Sequence, residues 1–169
     1  MELEKMEHAA LAEKDFEAAR RRALAARIRS LITGRKDDLL PYEAVRRLVA
    51  PSAESYVGLG TIPVDRIVGS ERRSPEFNRD FLPRRAFLRH RWQSIDIAHY
   101  ESKPLPAIQV FEVGGVYFVR DGNHRVSVAH ALKKSFIDAE VVRVRAAVAL
   151  EPGMSLEDVA AAARRAHAA

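Results

Sequence analysis

Apolar residues recur at helical spacing near the start of the chain. Residues 3–32 are mostly strong helix formers, and Leu24, Ile28 and Leu31 follow one another at steps of four and three positions. Gly34 lies just beyond this stretch and is the type of residue at which a helix commonly ends. The pattern predicts one long N-terminal helix whose charged side chains form either a solvated face with weak ion pairs or an arm that contacts nucleic acid.

A second, shorter helical pattern lies between Pro41 and Pro51. Its apolar positions are Val45, Leu48 and Val49. We interpret residues 1–50 as a helical N-terminal extension. The next stretch, PSAESYVGLGTIP, holds two prolines and two glycines, which indicates a connection into the main domain.

The main domain is predicted over residues 60–148, where short apolar runs alternate with turn residues. A strand is expected at residues 62–68 and is followed by a polar loop. The helix expected after Pro83 has three apolar positions on one face, which are Leu88, Trp92 and Ile95. This helix is therefore expected to pack against the rest of the domain.

Two apolar runs flank Gly114 and Gly115 in the stretch LPAIQVFEVGGVYFVRDG, which predicts a β-hairpin. A helix at residues 125–133 and a closing strand, AEVVRVRAAVAL, complete the predicted domain. Ser155, with Asp158 three residues later, is a typical start for the last helix, within residues 153–169.

These elements predict an α/β (α+β) fold in which helices flank a small mixed sheet. With 169 residues, 47% of them hydrophobic, the chain is long enough for one core. The formal net charge of +5 favours an anionic partner, and the charge alone leaves nucleic acid, nucleotide phosphates and acidic membrane surfaces open. The absence of cysteine excludes disulfides and thiol catalysis. We expect a cytoplasmic protein with no membrane partner, because no apolar run reaches the length of a membrane span and the N-terminus lacks a signal peptide.

Polar residues cluster around one glycine where the second hairpin strand ends and a helix begins. The stretch is Asp121, Gly122, Asn123, His124 and Arg125. A helix N-terminus has amide groups without intrahelical partners and so attracts anions. Gly122 permits a sharp turn or a close approach to a ligand, Asn123 is a candidate helix cap, and His124 and Arg125 can donate to phosphate oxygens. A purely structural turn, in which these side chains only cap the helix and satisfy loop carbonyls, remains open.

The segments IPVDRIVGSERR and PLPAIQVFEVGGVYFVRDGNHRVSVAHALKKSFIDAEVVRV together resemble the ParB/sulfiredoxin-like superfamily. The resemblance covers residues 60–146 and implies a strand, a polar loop, a helical segment, a hairpin, a phosphate-binding helix terminus and a closing strand. Members of this superfamily catalyse different reactions, so the individual branches have to be compared.

Three branches of the superfamily carry different residues at this turn. ParB-type partition proteins place an acid and two arginines after the glycine, of which this chain matches only Arg125. They continue into a helix-turn-helix domain, which we do not expect in the roughly twenty residues after the last predicted strand. Sulfiredoxins need a cysteine where this chain has Asn123, so their reduction chemistry is impossible. Free serine kinases have an Asp-Gly-His-His-Arg turn, which Asp121 to Arg125 resemble except at Asn123.

The kinase likeness implies roles for individual residues. The glutamate that acts as the base on the substrate hydroxyl in those enzymes aligns with Glu71, whose alternative role is an exposed ion-pair partner of neighbouring arginines. We expect Asp121 and His124 to be catalytic as well, and Asp121 is the candidate magnesium ligand because it lies beside the expected phosphates. Gly122 to Arg125 are the candidate cofactor-binding residues, and the expected cofactors are Mg²⁺ and a nucleoside triphosphate, either ATP or CTP.

A basic segment, RDFLPRRAFLRHRW, precedes the helix that carries Trp92. Arg84, Arg85 and Arg89 are candidate phosphate or nucleic-acid contacts. Arginines near a helix N-terminus are unfavourably placed relative to the helix dipole, which indicates a compensating anion, either an acid of the chain or a bound phosphate.

Two function classes follow from these patterns. The first is a nucleotide-binding protein that acts as a magnesium-dependent NTPase or a small-molecule phosphotransferase. The second is a non-catalytic module associated with DNA or RNA, such as a regulator or a partition accessory. In either class, the long N-terminal helix is a candidate surface for homo-oligomer formation.

Overall fold

The computed structural model describes residues 1–72 and 74–168. The α-helices of this part of the chain are α1 Glu2–Thr33, α2 Tyr42–Val49, α3 Arg89–Tyr100, α4 Asn123–Ala131 and α5 Leu156–Ala168. The β-strands are β1 Leu40–Pro41, β2 Ala53–Pro63, β3 Ile67–Ser70, β4 Ile108–Val113, β5 Val116–Asp121 and β6 Phe136–Arg145.

The strands form one mixed sheet in the order β1-β3-β5-β4-β6-β2. The pairs β1–β3, β3–β5 and β4–β6 are parallel, whereas the hairpin β4–β5 and the outer pair β6–β2 are antiparallel. The chain therefore has an α/β fold with a mixed sheet and an N-terminal helix, which confirms the predicted fold class.

Helices cover both faces of the sheet. On one face α1, α3 and α4 enclose a core around Trp92, to which Ile108, Val110 and Val119 of the sheet contribute. On the other face α2 and α5 pack over Phe111 and Phe118. Alternate residues of a strand point to opposite faces, which is why neighbouring apolar residues of β4 and β5 belong to different cores.

The long helix α1 is held to the body through its middle. Its buried residues are Ala12, Phe16, Ala19 and Ala23, spaced at steps of four and three along one face. Gly34 ends the helix in the left-handed conformation, with φ 70°, and its amide donates to the carbonyl of Ser30. The predicted helix and its stop are therefore both present.

The interpretation of residues 51–63 as a connection is wrong. The segment forms β2, which pairs with β6 along ten registered positions. A strand at the edge of a sheet tolerates residues that a central strand would exclude: Pro63 is its last residue, and Gly58 lies at a bulge with φ 108°. The strand predicted over residues 62–68 is divided by a 3₁₀ turn at Val64–Arg66.

The other predicted elements are present with shifted ends. The hairpin β4–β5 turns at Gly114 and Gly115, both of which have positive φ. The helix α3 begins at Arg89, after a 3₁₀ turn at Ala86–Leu88, and α4 begins two residues before the predicted start. The amide of Ser155 donates to the Asp158 carboxylate at 2.9 Å, and the amide of Asp158 donates to the Ser155 hydroxyl at 3.1 Å. These two bonds form the predicted capping box of α5.

Candidate functional site

Two sequence-predicted segments meet at one edge of the sheet because β3 and β5 are parallel neighbours. Parallel strands end at the same edge, where Glu71 follows β3 and the turn from Asp121 to Arg125 follows β5. The backbone amide of Glu71 donates to the carbonyl of Val119 at 2.9 Å, so this residue still belongs to the strand pair. The fold therefore brings Glu71 towards the start of α4.

Gly122 precedes the first residue of α4 and cannot be replaced without strain. Its φ is 114°, and a Cβ built on it would lie 2.6 Å from Cγ2 of Ile108. Its carbonyl accepts the first helical hydrogen bond, from the amide of Val126 at 3.0 Å. No side-chain hydrogen bond from the described residues caps this helix, so its N-terminus keeps the partial positive charge that attracts anions.

The prediction that Asn123 caps α4 is wrong. The left-handed turn gives the cap position to Gly122, and Asn123 becomes the first helical residue. Its side chain is buried, and its Oδ1 has no hydrogen-bond partner among the described residues. A buried amide oxygen of this kind is costly unless something outside these contacts satisfies it.

Arg125 is a clamp within the chain. Its guanidinium donates to the carbonyls of Pro106 and Ala107, at 2.6 and 2.9 Å, and to the Asp121 carboxylate at 2.8 Å. These bonds join the segment entering β4 to the start of α4. These bonds agree, for Arg125, with the alternative in which the turn satisfies loop carbonyls, although the sequence could not show which carbonyls, because they lie 18 and 19 positions away along the chain.

His124 lies beneath the turn and is 6% exposed. Its ring meets the ring of Phe77 edge-on, with centroids 5.3 Å apart. The loop that carries Phe77 is shaped by Asn78, whose buried side-chain oxygen accepts the amides of Asp80 and Leu82 at 3.1 and 2.8 Å. The histidine thus links α4 to the loop that follows Glu71.

Glu71 has a partly buried side chain that is 25% exposed. Its carboxylate is 3.9 Å from Nε of Arg72, whose own side chain is largely exposed. An ion pair at this distance on the surface contributes little. Within the part of the chain that the structure describes, no strong ion pair holds the Glu71 carboxylate.

Metal-binding groups are sparse around the turn. The described residues contain no group of three or more His, Asp or Glu side chains that could hold a metal ion. Asp121 offers one carboxylate, 63% exposed, of which Oδ2 accepts from Arg125. This suits a magnesium ion whose other ligands are phosphates and water, since that ion commonly takes one or two protein carboxylates.

The predicted phosphate-contact arginines are mostly paired with acids of the chain. Arg84 donates to the carboxylate of Asp38 at 2.7 Å and also contacts Asp37. Arg89 donates to the carboxylates of two residues of α1, Glu13 and Glu17. Chain acids thus supply the compensating anions for both, whereas Arg85 is exposed.

A large cavity lies away from the turn, between the end of α1 and the start of α5. It measures about 1130 Å³, and its lining includes Arg35, Arg79 and Glu157 but none of the sequence-predicted site residues. The guanidinium of Arg79 donates to the carbonyls of Pro152 and Met154, and its burial lowers its pKa. No local sequence pattern indicates this cavity, because its walls come from three distant segments.

Across the described residues, every helix is too short or too polar to cross a membrane. No family model matches the chain, and no curated protein matches it. Among solved structures, the crystal structure of sulfiredoxin from Arabidopsis thaliana is similar to part of it. The similarity has 19% sequence identity, covers 49% of this chain and 82% of that chain, and has a TM-score of 0.32.

Proposed function

We propose that the protein binds the phosphates of a nucleoside triphosphate at the N-terminus of α4, and that it belongs to the ParB/sulfiredoxin-like superfamily. The observation that carries this proposal is the arrangement of β3 and β5. Their shared edge holds Glu71 beside a helix start that no side chain among the described residues caps. Ligands of open α/β sheets bind at the carboxyl ends of parallel strands.

Each residue of the turn then has a distinct task. The first amides of α4 donate to phosphate oxygens, and the positive φ of Gly122 permits the sharp turn that presents them. Asp121 would hold a magnesium ion, which supplies charge neutralisation for the phosphates when it is bound.

The task of Arg125 differs from the one that its sequence position suggests. Because its guanidinium is committed to Pro106, Ala107 and Asp121, it positions the Asp121 carboxylate and the helix start. An arginine has five N–H donors, so two remain for a phosphate oxygen.

Glu71 is the proposed base in a phosphoryl transfer to water or to a small hydroxyl compound. It would accept the proton of the attacking hydroxyl group while the oxygen of that group bonds to the terminal phosphorus of the nucleotide. The bond from this phosphorus to the bridging oxygen breaks, and the nucleoside diphosphate leaves, while the turn holds the phosphates in place. Nucleotide binding and turnover can therefore be tested separately. A neutral side chain at position 71 would remove the base but leave the α4 amides, which bind the phosphates, unchanged.

Calorimetric titration with ATP, CTP and GTP, each with and without magnesium, tests the binding proposal. We expect at least one nucleotide to bind, more tightly with magnesium. Asp121→Asn should reduce the increase in nucleotide affinity that magnesium causes. Absence of binding by all three nucleotides would contradict the proposal.

Turnover is tested with Glu71→Gln. We expect unchanged nucleotide affinity and a loss of phosphate release of about 100-fold or more, the usual contribution of a general base. The matched control is Glu43→Gln on α2, an exposed glutamate on the opposite face of the sheet, which should leave both quantities unchanged. Equal turnover by Glu71→Gln and the wild type would remove Glu71 from the chemistry.

The second candidate, a nucleic-acid-associated module, is favoured by the exposed side chains of Arg85 and Arg91 near the start of α3. Backbone phosphate binding requires DNA or RNA affinity that falls steeply with salt. We expect Arg85→Ala to reduce the slope of that dependence by about one. An affinity that does not change with salt would rule out this candidate.

A further inference from the structure

Helix α1 carries a second apolar face that the body of the protein leaves uncovered. Five large side chains on it are exposed by half or more: Leu3 77%, Met6 66%, Leu24 59%, Ile28 51% and Leu31 78%. We call these five residues the apolar seam. Single exposed apolar residues are common on protein surfaces, but a row of them on one helix marks an interaction surface.

The apolar seam follows the spacing of a helix–helix contact. Leu3, Leu24 and Leu31 are separated by whole multiples of seven residues. Met6 follows Leu3 by three residues, and Ile28 precedes Leu31 by three residues. The buried residues of α1, such as Phe16, fall at other positions of the same repeat. The helix therefore has one face for the protein core and another that is free for a partner.

The charge along α1 is divided between its halves. Residues 2–17 contain six acids and two lysines, whereas residues 18–33 contain five arginines and no acid. Such a helix repels a parallel copy of itself and attracts an antiparallel one, because each acidic half then lies beside a basic half.

We propose that two copies of this chain associate through their α1 helices in an antiparallel, two-fold arrangement centred near Glu17. This register places Leu3 opposite Leu31 and Met6 opposite Ile28, so apolar residues meet at both ends. At the centre, Glu17 of each copy is already bound by Arg89 of its own chain, which offsets the repulsion between the two carboxylates. The proposal does not depend on the proposed nucleotide site.

The oligomeric state provides the first test. Sedimentation equilibrium of the wild type is expected to give a dimer, and Ile28→Gln with Leu31→Gln is expected to raise the dissociation constant at least about tenfold, because two buried side chains are lost from each copy. Both positions are exposed in the single chain, so circular dichroism should show an intact fold. Leu59→Gln on β2 is the matched control, since Leu59 is 74% exposed and lies outside the apolar seam.

The orientation of the helices is tested with cysteines, which the natural sequence lacks. Met6→Cys and Ile28→Cys proteins are mixed and oxidised, and the cross-linked peptides are identified by mass spectrometry. The antiparallel register predicts disulfides between position 6 of one copy and position 28 of the other. Disulfides formed only between like positions would overturn the arrangement.

Salt provides a third readout, because complementary charges on the two halves are screened. The dissociation constant of the dimer is expected to rise as ionic strength increases. A wild type that stays monomeric at every concentration would overturn the proposal. So would a dimer that is dissociated by Leu59→Gln but not by Ile28→Gln with Leu31→Gln. A monomer that binds DNA through the arginines of residues 18–33 would assign this half of α1 to nucleic acid instead.

Discussion

Asp96 is a buried carboxyl group at the contact between α1 and α3. Neither of its oxygens receives a hydrogen bond from a described residue, and burial, together with the nearby Asp15, raises its pKa to about 7. The protonated acid can donate to Asp15, which also accepts a hydrogen bond from Tyr100 and thereby raises the pKa of that phenol to about 12. Asp96 is therefore a proton-dependent element of the core rather than part of the proposed site.

The pKa of Asp96 predicts how stability varies with pH. Its folded-state pKa lies above its ordinary value of 3.8, so its contribution is fully present below pH 4 and is lost as pH rises towards 7. Asp96→Asn cannot ionise and should be more stable than the wild type at pH 8, by on the order of 2–4 kcal/mol. Urea unfolding at pH 5 and pH 8 measures the difference. Asp138→Asn, at an exposed position, is the control. If the free energy of unfolding changes with pH in the same way for the wild type and Asp96→Asn, the prediction is contradicted.

Gly122→Ala tests the turn at the start of α4. The new methyl group would lie 2.6 Å from Cγ2 of Ile108 in a backbone conformation of φ 114°, so we expect a loss of more than about 1 kcal/mol in the free energy of unfolding. Gly153→Ala is the matched control, because its Cβ would meet no atom within 4 Å. Equal stability of the two variants would show that the turn is not strained by a side chain.

Some residue roles could be predicted from the sequence, whereas others depend on distant contacts. Gly122 was identifiable, since a strand that turns sharply into a helix needs a residue without a side chain. Ser155 and Asp158 were also identifiable, because a capping box is local. For Arg125, bonding to loop carbonyls was left open as an alternative, but the particular carbonyls could not be identified, since Pro106 and Ala107 adopt their positions only when β4 joins the sheet.

At the scale of elements, α3 and α4 are joined by one buried hydrogen bond. Nε1 of Trp92 donates to Oγ of Ser127 at 2.9 Å, and both residues are fully buried. This bond fixes α4, and with it the turn, against the helix that packs on α1. It has no local sequence signature, because the two residues are 35 positions apart.

Ser127→Ala removes that bond and leaves a buried indole donor without a partner. We expect a loss of about 1–3 kcal/mol in unfolding free energy. Ser94→Ala, on the exposed side of α3, should change stability by less than about 0.5 kcal/mol. Chemical denaturation followed by tryptophan fluorescence compares the two, and similar values would indicate that Trp92 finds another acceptor.

Elements with local signals were predicted well, and the two strands that depend on distant partners, β1 and β2, were missed. The hairpin and all the helices have periodic apolar residues and glycine or proline at their ends. In contrast, β2 contains Gly58 and Gly60, which suggest a loop, and it becomes a strand through pairing with β6, more than seventy residues away. Its edge position makes this pairing compatible with those glycines.

At the scale of the whole molecule, α1 contributes to the main core. Phe16 is fully buried, and its ring meets that of Trp92 edge-on with centroids 5.5 Å apart. We predict that Phe16→Ala destabilises the whole protein by about 3–5 kcal/mol. Phe87→Ala is the matched control because Phe87 is 71% exposed. The measurement is urea unfolding followed by the fluorescence of the single tryptophan, Trp92. If Phe16→Ala has the same urea midpoint as the wild type, α1 folds independently of the core.

The outermost strand, β2, presents a row of peptide groups along the rim of the sheet, with Tyr56 and Leu59 exposed beside it. Rims of this kind can recruit further chains and grow into fibrils. The irregular register between Tyr56 and Gly58 twists this edge of the sheet. The strand of another chain could therefore not form a continuous row of backbone hydrogen bonds along it. The kink therefore weakens the tendency of this edge to pair with the strand of another chain.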